Sequence, residues 1–251
     1  MTRHILFVFS ILMLGFVVPS RKKIKIFIAG DSTVSIKEKK AFPETGWGMP
    51  FTYFWDSSVT VVNRAKNGRS TKSFISEGLW QSILDEASDG DYIFIQFGHN
   101  DESKDKGDRY STPVEFKENL LKFVLDSRKK HAIPILITPV ARRKFNANGK
   151  INETHGEYPD LVKQVASEND VPLIDLNEKS KNLLNELGPE ASKNFFNYLS
   201  IDENPNYPNG AKDDTHFNEL GARRMAELVL QEIKSLKIDL VERIASPNNK
   251  K

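Results

Sequence analysis

The chain contains no cysteine. That excludes disulfide staples, a lipidated cysteine, cysteine-bound metals and a thiolate nucleophile, and it leaves stability to the hydrophobic core. One-sided charge is missing too. Lys and Arg number 36 against 34 Asp and Glu, a formal net charge of +2 scattered along the chain. Nucleic-acid binders concentrate basic residues on one face, so no nucleic-acid partner is expected. The short basic runs at 21–25, 37–40 and 142–144 read as solvated faces. No apolar run reaches the length of a comfortable transmembrane helix, and no stable membrane insertion of the mature chain is expected. The mainly apolar run at 5–18, after Arg3, instead has the length of a signal-peptide core. Residues 1–20 are therefore set aside as a signal, with Val18-Pro19-Ser20 as the place to look for cleavage. The expected location is periplasmic or extracellular, in a bacterium. Repeats, linkers and a second domain are also lacking, so residues 21–251 are expected to form one domain.

What the chain does have is a regular alternation of strand and helix patterns. Residues 24–30 are an apolar run ending abruptly in Gly30-Asp31-Ser32-Thr33, a strand feeding a tight turn. Further strands are predicted at 59–63, 92–97, 134–139 and 171–176, the third apolar on both faces as buried parallel strands are. Helical spacing marks 51–55, 74–87, 114–130, 159–169, 179–187 and 219–236, although Gly78 weakens the second. The stretches at 102–112, 146–156 and 204–214 read as irregular, and 246–251 as a frayed tail. This alternation predicts an α/β fold with a five-stranded, mostly parallel sheet between helical layers. Ligands of such folds sit beyond the carboxyl ends of the strands. The unusual polar clusters all fall there: Asp31-Ser32, Asn67-Gly68, Gly98-His99-Asn100-Asp101 and Arg142-Arg143.

A serine at a strand exit becomes a nucleophile only with a base, an orienting acid and donors for an oxyanion; otherwise Ser32 is a helix cap. Of the five histidines, His4 lies in the signal, His131 reads as a surface cap and His155 has no obvious partner. His99 sits beside the site, a candidate ligand contact with a loop-orienting role as the alternative. His216 is the best base, because Asp213 three residues earlier can fold back onto Nδ1 and leave Nε2 for Ser32. Asp214 is the competing orienter. Ser32 N–H, Gly68 N–H and the Asn100 amide are the candidate oxyanion donors. Arg142 and Arg143 are candidates for pairing with carboxylates of a ligand, with an internal ion pair as the competing role. Of the three tryptophans, Trp55 and Trp80 belong to apolar helical patterns, and Trp47, flanked by glycines, is the candidate for stacking on a ligand. A metal-dependent phosphoesterase using Asp31, Asp101, Asp213 and His216, and a non-catalytic sugar-binding protein, are the competing readings.

The blocks Gly30-Asp31-Ser32, Gly68, Gly98-x-Asn100-Asp101 and Asp213-x-x-His216, in this order, resemble the SGNH (GDSL-like) hydrolase superfamily. Gly30-Asp31-Ser32-Thr33, Thr45-Gly46-Trp47-Gly48, Asn67-Gly68-Arg69-Ser70, Phe97-Gly98-His99-Asn100-Asp101, Thr138-Pro139-Val140-x-Arg142-Arg143 and Asp214-Thr215-His216-Phe217 look like its rhamnogalacturonan acetylesterase branch. The resemblance implies a three-layer α/β/α flavodoxin-like fold and a serine esterase that removes acetyl groups from pectic rhamnogalacturonan. Acetylated xylan or another acetylated plant cell-wall polysaccharide is the rival substrate. It implies no metal or organic cofactor. Ser32 would be the nucleophile, His216 the base, Asp213 its orienter, and Ser32, Gly68 and Asn100 the oxyanion hole. The loops at 102–112 and 146–156, which should border the groove, match no motif.

Overall fold

A computed structural model describes residues 21–246; the signal-peptide reading of residues 1–20 and nearly all of the predicted tail lie outside the described residues. The chain begins with β1 (Ile24–Gly30), where alternation sends successive side chains to opposite faces. Ile24, Ile26 and Ile28 join the core that contains Trp47 and Phe51, while Phe27 and Ala29 join the core that contains Phe74 and Phe123. β2 (Val59–Asn63) and β3 (Tyr92–Gln96) flank β1, and β4 (Ile133–Ile137) and β5 (Leu173–Ile174) extend the sheet beyond β3. The order is β2-β1-β3-β4-β5 and every pairing is parallel. Because β1 connects to β2 on one side and the chain then returns to β3 on the other, a crevice opens at the carboxyl ends of β1 and β3.

Helices cover both faces, completing the three layers expected from the sequence. The short α1 (Gly48–Phe51), α6 (Leu176–Ala191) and α7 (Glu219–Leu236) lie on one side. On the other are α2 (Thr71–Ser76), α3 (Leu79–Glu86), α4 (Pro113–Lys129) and α5 (Tyr158–Glu168). Helix α7 buries Ala222, Met225, Ala226, Val229 and Ile233, the stripe its spacing predicts. It starts where Asn218 Oδ1 accepts from Gly221 N at 3.0 Å. Helix α4 starts with a capping box between Thr112 and Glu115 and has Pro113 at its first position.

Two expectations are corrected. The helix predicted at 74–87 is two helices, because Gly78 takes a left-handed φ of 73° between them and ends the first. The stretch read as irregular at 204–214 ends in a strand, β7 (Ala211–Phe217), which pairs antiparallel with β6 (Phe196–Leu199). The sequence of β7, AKDDTHF, has no apolar alternation. A two-stranded ribbon resting on the domain edge buries too little to require it.

The turn after β1 is tightly packed against the chain around Trp47. An added Cβ on Gly46 would lie 2.1 Å from Ser35 O and 2.6 Å from Val34 C, both backbone atoms. Gly46→Ala is therefore expected to destabilise the fold by about 2 kcal/mol or more, within the range of overpacked interiors. A urea unfolding curve measures it, and a midpoint equal to wild type would show that the turn can move away.

Candidate active site

Strand ends bring the polar clusters to one cavity of about 440 Å³. Ser32 enters it from the exit of β1, Asn67 and Gly68 from that of β2, His99 and Asn100 from that of β3, and Arg142 from that of β4. His216 arrives separately, on β7. Its Nε2 lies 2.9 Å from Ser32 Oγ across 184 residues of sequence. Nδ1 of the same ring lies 2.7 Å from Asp213 Oδ2, and Asp213 Oδ1 accepts from the backbone N–H of Thr215 and His216 at 2.7 and 3.0 Å. Partial burial works against the charge on Asp213, but these hydrogen bonds outweigh it and hold the carboxyl below the usual range. The competing acid, Asp214, is bound to Arg143 at 2.5 Å and to Tyr198 OH at 2.6 Å and does not reach the histidine.

The three candidate oxyanion donors face this pair from separate strand ends. Among the described residues, no acceptor takes the backbone N–H of Ser32 or of Gly68. Gly68 has a φ of +75°, and a Cβ there would lie 2.9 Å from Arg109 Nη1. Asn100 Nδ2 donates one hydrogen to Arg69 O at 3.0 Å, while Lys106 Nζ donates to its Oδ1 at 3.3 Å. The amide is thereby oriented, with its second N–H left over.

A buried polar scaffold holds the Ser32 turn. Asp31, fully buried, accepts on Oδ1 from Thr33 N at 2.9 Å and Thr33 Oγ1 at 2.7 Å. Thr33 Oγ1 in turn accepts from Gln96 Nε2 at 2.7 Å, and Gln96 Oε1 accepts from Trp47 Nε1 at 2.7 Å. Asp31 Oδ2 lies 3.3 Å from His99 Nδ1. Burial opposes the charge on Asp31, yet His99 and the Thr33 donors hold its carboxyl down at about 2. Burial pushes His99 down to about 4 despite the neighbouring carboxylate, so the ring is neutral near pH 7.

Lys37, placed by sequence in a solvated patch, is 5% exposed. Its Nζ donates to Ser32 O at 2.5 Å and Asn67 Oδ1 at 2.9 Å, and pairs with Glu44 at 2.6 Å. One ammonium thus ties the serine turn to the loop carrying Gly68. Burial lowers its pKa against the pull of Glu44.

Other assignments move. Trp47 is fully buried in the core and does not reach the cavity. Arg143 is 7% exposed and bonded to Asp214, Tyr198, Ser192 and Pro189 O, an internal clamp on β7 rather than a groove residue. Arg142 lines the cavity but pairs with Glu102 at 2.6 Å. His155, which sequence left without a partner, is 1% exposed and holds Glu102 Oε2 at 2.8 Å and Val140 O at 2.9 Å. Its ring packs edge-on to His99 at 4.4 Å. Lys37, Glu44, Lys106 and Arg109 were missed. No local pattern distinguishes them from surface charge, because what places them is the convergence of three loops.

A serine, a histidine and an aspartate joined in series beside unpaired N–H groups, at the switch point of a parallel sheet, define the class of the α/β serine hydrolases. Comparison with known proteins narrows this: residues 29–224 match the GDSL-like Lipase/Acylhydrolase family, and the chain belongs to it. It is 44% identical over 230 residues to the rhamnogalacturonan acetylesterase RhgT of Bacillus subtilis strain 168, covering 92% of this chain and 98% of that one. The crystal structure of the Bacillus subtilis protein YxiM superposes with a TM-score of 0.74 at 28% identity, covering 87% of this chain and 58% of that chain. An acetylxylan esterase from Geobacillus stearothermophilus shares the fold, with a TM-score of 0.62 at 17% identity over 90% of this chain and 98% of that one.

Behind the site, Asp101 is fully buried, and Oδ1 accepts from Thr71 N, Thr71 Oγ1 and Ser111 Oγ at 2.9, 2.6 and 2.9 Å. Burial nevertheless pushes its pKa up to about 7. A folded-state pKa raised above the unfolded value stabilises the fold at low pH, and that contribution is lost as pH rises through about 7. Between pH 5 and 8 the expected loss is on the order of 2 kcal/mol, and Asp101→Asn should remove that slope. Urea unfolding of both proteins at the two pH values measures it; parallel slopes would show that Asp101 stays ionised.

Proposed function

We propose that this protein is a serine acetylesterase that removes O-acetyl groups from rhamnogalacturonan through an acetyl-enzyme intermediate. The observation that carries the mechanism is the continuous contact from Asp213 through His216 to Ser32 Oγ. Ser32 Oγ attacks the acetyl carbonyl carbon and its proton passes to His216 Nε2. The carbonyl oxygen, now negative, accepts from Ser32 N–H, Gly68 N–H and Asn100 Nδ2. His216 returns the proton to the sugar oxygen as the C–O bond breaks, and the deacetylated sugar leaves. Water then attacks the acetyl group on Ser32, giving its proton to His216, and acetate departs as Ser32 is re-protonated. Asp213 keeps the imidazole in the tautomer that leaves Nε2 free to accept.

The substrate assignment is supported by the 44% identity to an acetylesterase named for rhamnogalacturonan. Xylan is the weaker reading, since the acetylxylan esterase is alike in fold at 17% identity. The apolar run at 5–18 supports export to a periplasmic or extracellular location, where such a polymer would be met.

Acetate release from acetylated rhamnogalacturonan and acetylated xylan, side by side, tests the reading. Wild type should act on the pectic substrate with or without chelator. Ser32→Ala should lower turnover by about 10⁴-fold or more, as triad removal does elsewhere. Release from xylan alone would overturn the substrate, and full activity of Ser32→Ala would overturn the mechanism.

A further inference from the structure

The charged side chains lining the cavity are unequally paired. Glu44 is answered by Lys37 at 2.6 Å, and Arg142 by Glu102 at 2.6 Å. Arg109 makes no ion pair and no side-chain hydrogen bond among the described residues. Among the described residues, the Lys106 side chain makes only the 3.3 Å contact to the neutral oxygen of Asn100. Both belong to the 3-10 turn Lys104–Arg109, which leans over the exit of β2. The guanidinium of Arg109 rests directly on Gly68: Nη1 and Cζ lie 2.9 and 3.3 Å from where a Cβ would stand. Two cations with no ion-pair partner among the described residues therefore stand beside two of the three candidate oxyanion donors; Glu77, the carboxylate whose charge Arg109 feels, is itself bound by Arg69 at 2.8 Å.

A guanidinium presents a planar fork that matches a carboxylate, and an ammonium next to it adds a second charge. In the plant cell-wall polysaccharides of the proposed function, uronic acids are the sugars that offer such a group. We infer that Arg109, with Lys106 beside it, forms the subsite for the carboxylate of a uronic acid residue in the acetylated chain. The preferred substrate is then an acetyl ester on an acidic sugar whose carboxyl is free, not merely any acetylated polysaccharide. This inference rests on the acetylesterase reading and adds what selects the sugar. It also transfers the carboxylate contact from the arginines that sequence suggested to two residues of an unmarked loop. Arg143 is buried elsewhere, and Arg142 is already paired.

The test compares acetylated rhamnogalacturonan oligosaccharides with free carboxyls against the same oligosaccharides after methyl esterification of those carboxyls. Acetate release is followed for wild type, Arg109→Ala, Arg109→Lys and the double variant Arg109→Ala/Lys106→Ala. For wild type, blocking the carboxyls should lower kcat/KM by about tenfold, mainly through KM, the scale of one charge-assisted hydrogen bond. Raising the salt concentration should shrink that preference, because the two cations are exposed. Arg109→Ala should bring the two substrates to within about twofold of each other, the double variant should equalise them, and Arg109→Lys should keep part of the preference. Equal activity of wild type on both substrates would overturn the subsite. So would an Arg109→Ala loss of the same factor on both, which would mark Arg109 as a support for Gly68. If wild type released acetate from neither, Ser32-dependent release from another acetyl ester would overturn the uronate reading alone. Failure on every acetyl ester would overturn the esterase reading itself.

Discussion

The structure depends on a buried carboxylate in the turn that leaves β1. Asp31 is fully enclosed, so its charge survives only because Thr33 supplies two donors and His99 stands beside it. These bonds fix the backbone on both sides of Ser32. The chain of contacts continues through Thr33 and Gln96 to Trp47, deep in the core. The serine is thus connected to the packing of the domain rather than to a free loop. Lys37 adds a second restraint from the opposite direction, holding the serine carbonyl and Asn67 together. The hydrogen bonds that Thr33, Gln96, Trp47 and Lys37 make here hold the nucleophile from several sides, which is what a positioned nucleophile needs.

The other half of the site comes from outside the central sheet. β7 carries Asp213 and His216, and Arg143 anchors that strand by bonding to Asp214 next door while also reaching Tyr198 and the end of α6. Between Lys212 and Phe217 the pairing with β6 is irregular, and there Asp213 folds back onto the N–H groups of Thr215 and His216 while its neighbour Asp214 turns to Arg143 and Tyr198. The arginine that sequence offered as a substrate contact is, in the folded molecule, part of the device that brings the histidine to the serine.

Much of the architecture was legible in the sequence, for identifiable reasons. The sheet strands are short apolar runs bounded by Gly, Asn and Pro, and β3 is buried at all five positions, so its continuous hydrophobicity pointed to a parallel sheet covered on both faces. Helices α4 and α7 carry both their caps and their buried stripes in sequence. The residues Ser32, Gly68, Asn100, Asp213 and His216 stood out because each lies in a punctuated segment at a strand exit or before α7. Trp47 was misjudged because flanking glycines suggested an open loop. They are instead what lets the chain approach Val34 and Ser35 closely enough to bury the indole. His155 and Lys37 were misjudged because a partner of each, Glu102 for one and Asn67 for the other, comes from a loop distant in sequence.

Sequence by itself determined the strand and helix order, the two faces of the sheet and the family of blocks that meet at its carboxyl edge. These follow from periodicity and turn chemistry, which act over a few residues. Tertiary structure alone decided which charges are buried and paired and which remain free at the cavity. Lys37 and Arg109 are both cations in charged stretches, yet one is sealed beneath the serine and the other stands exposed at the cavity with no ion pair among the described residues. The difference is set by which loops converge over each side chain. Desolvation and pairing depend on distances between elements that no local pattern encodes.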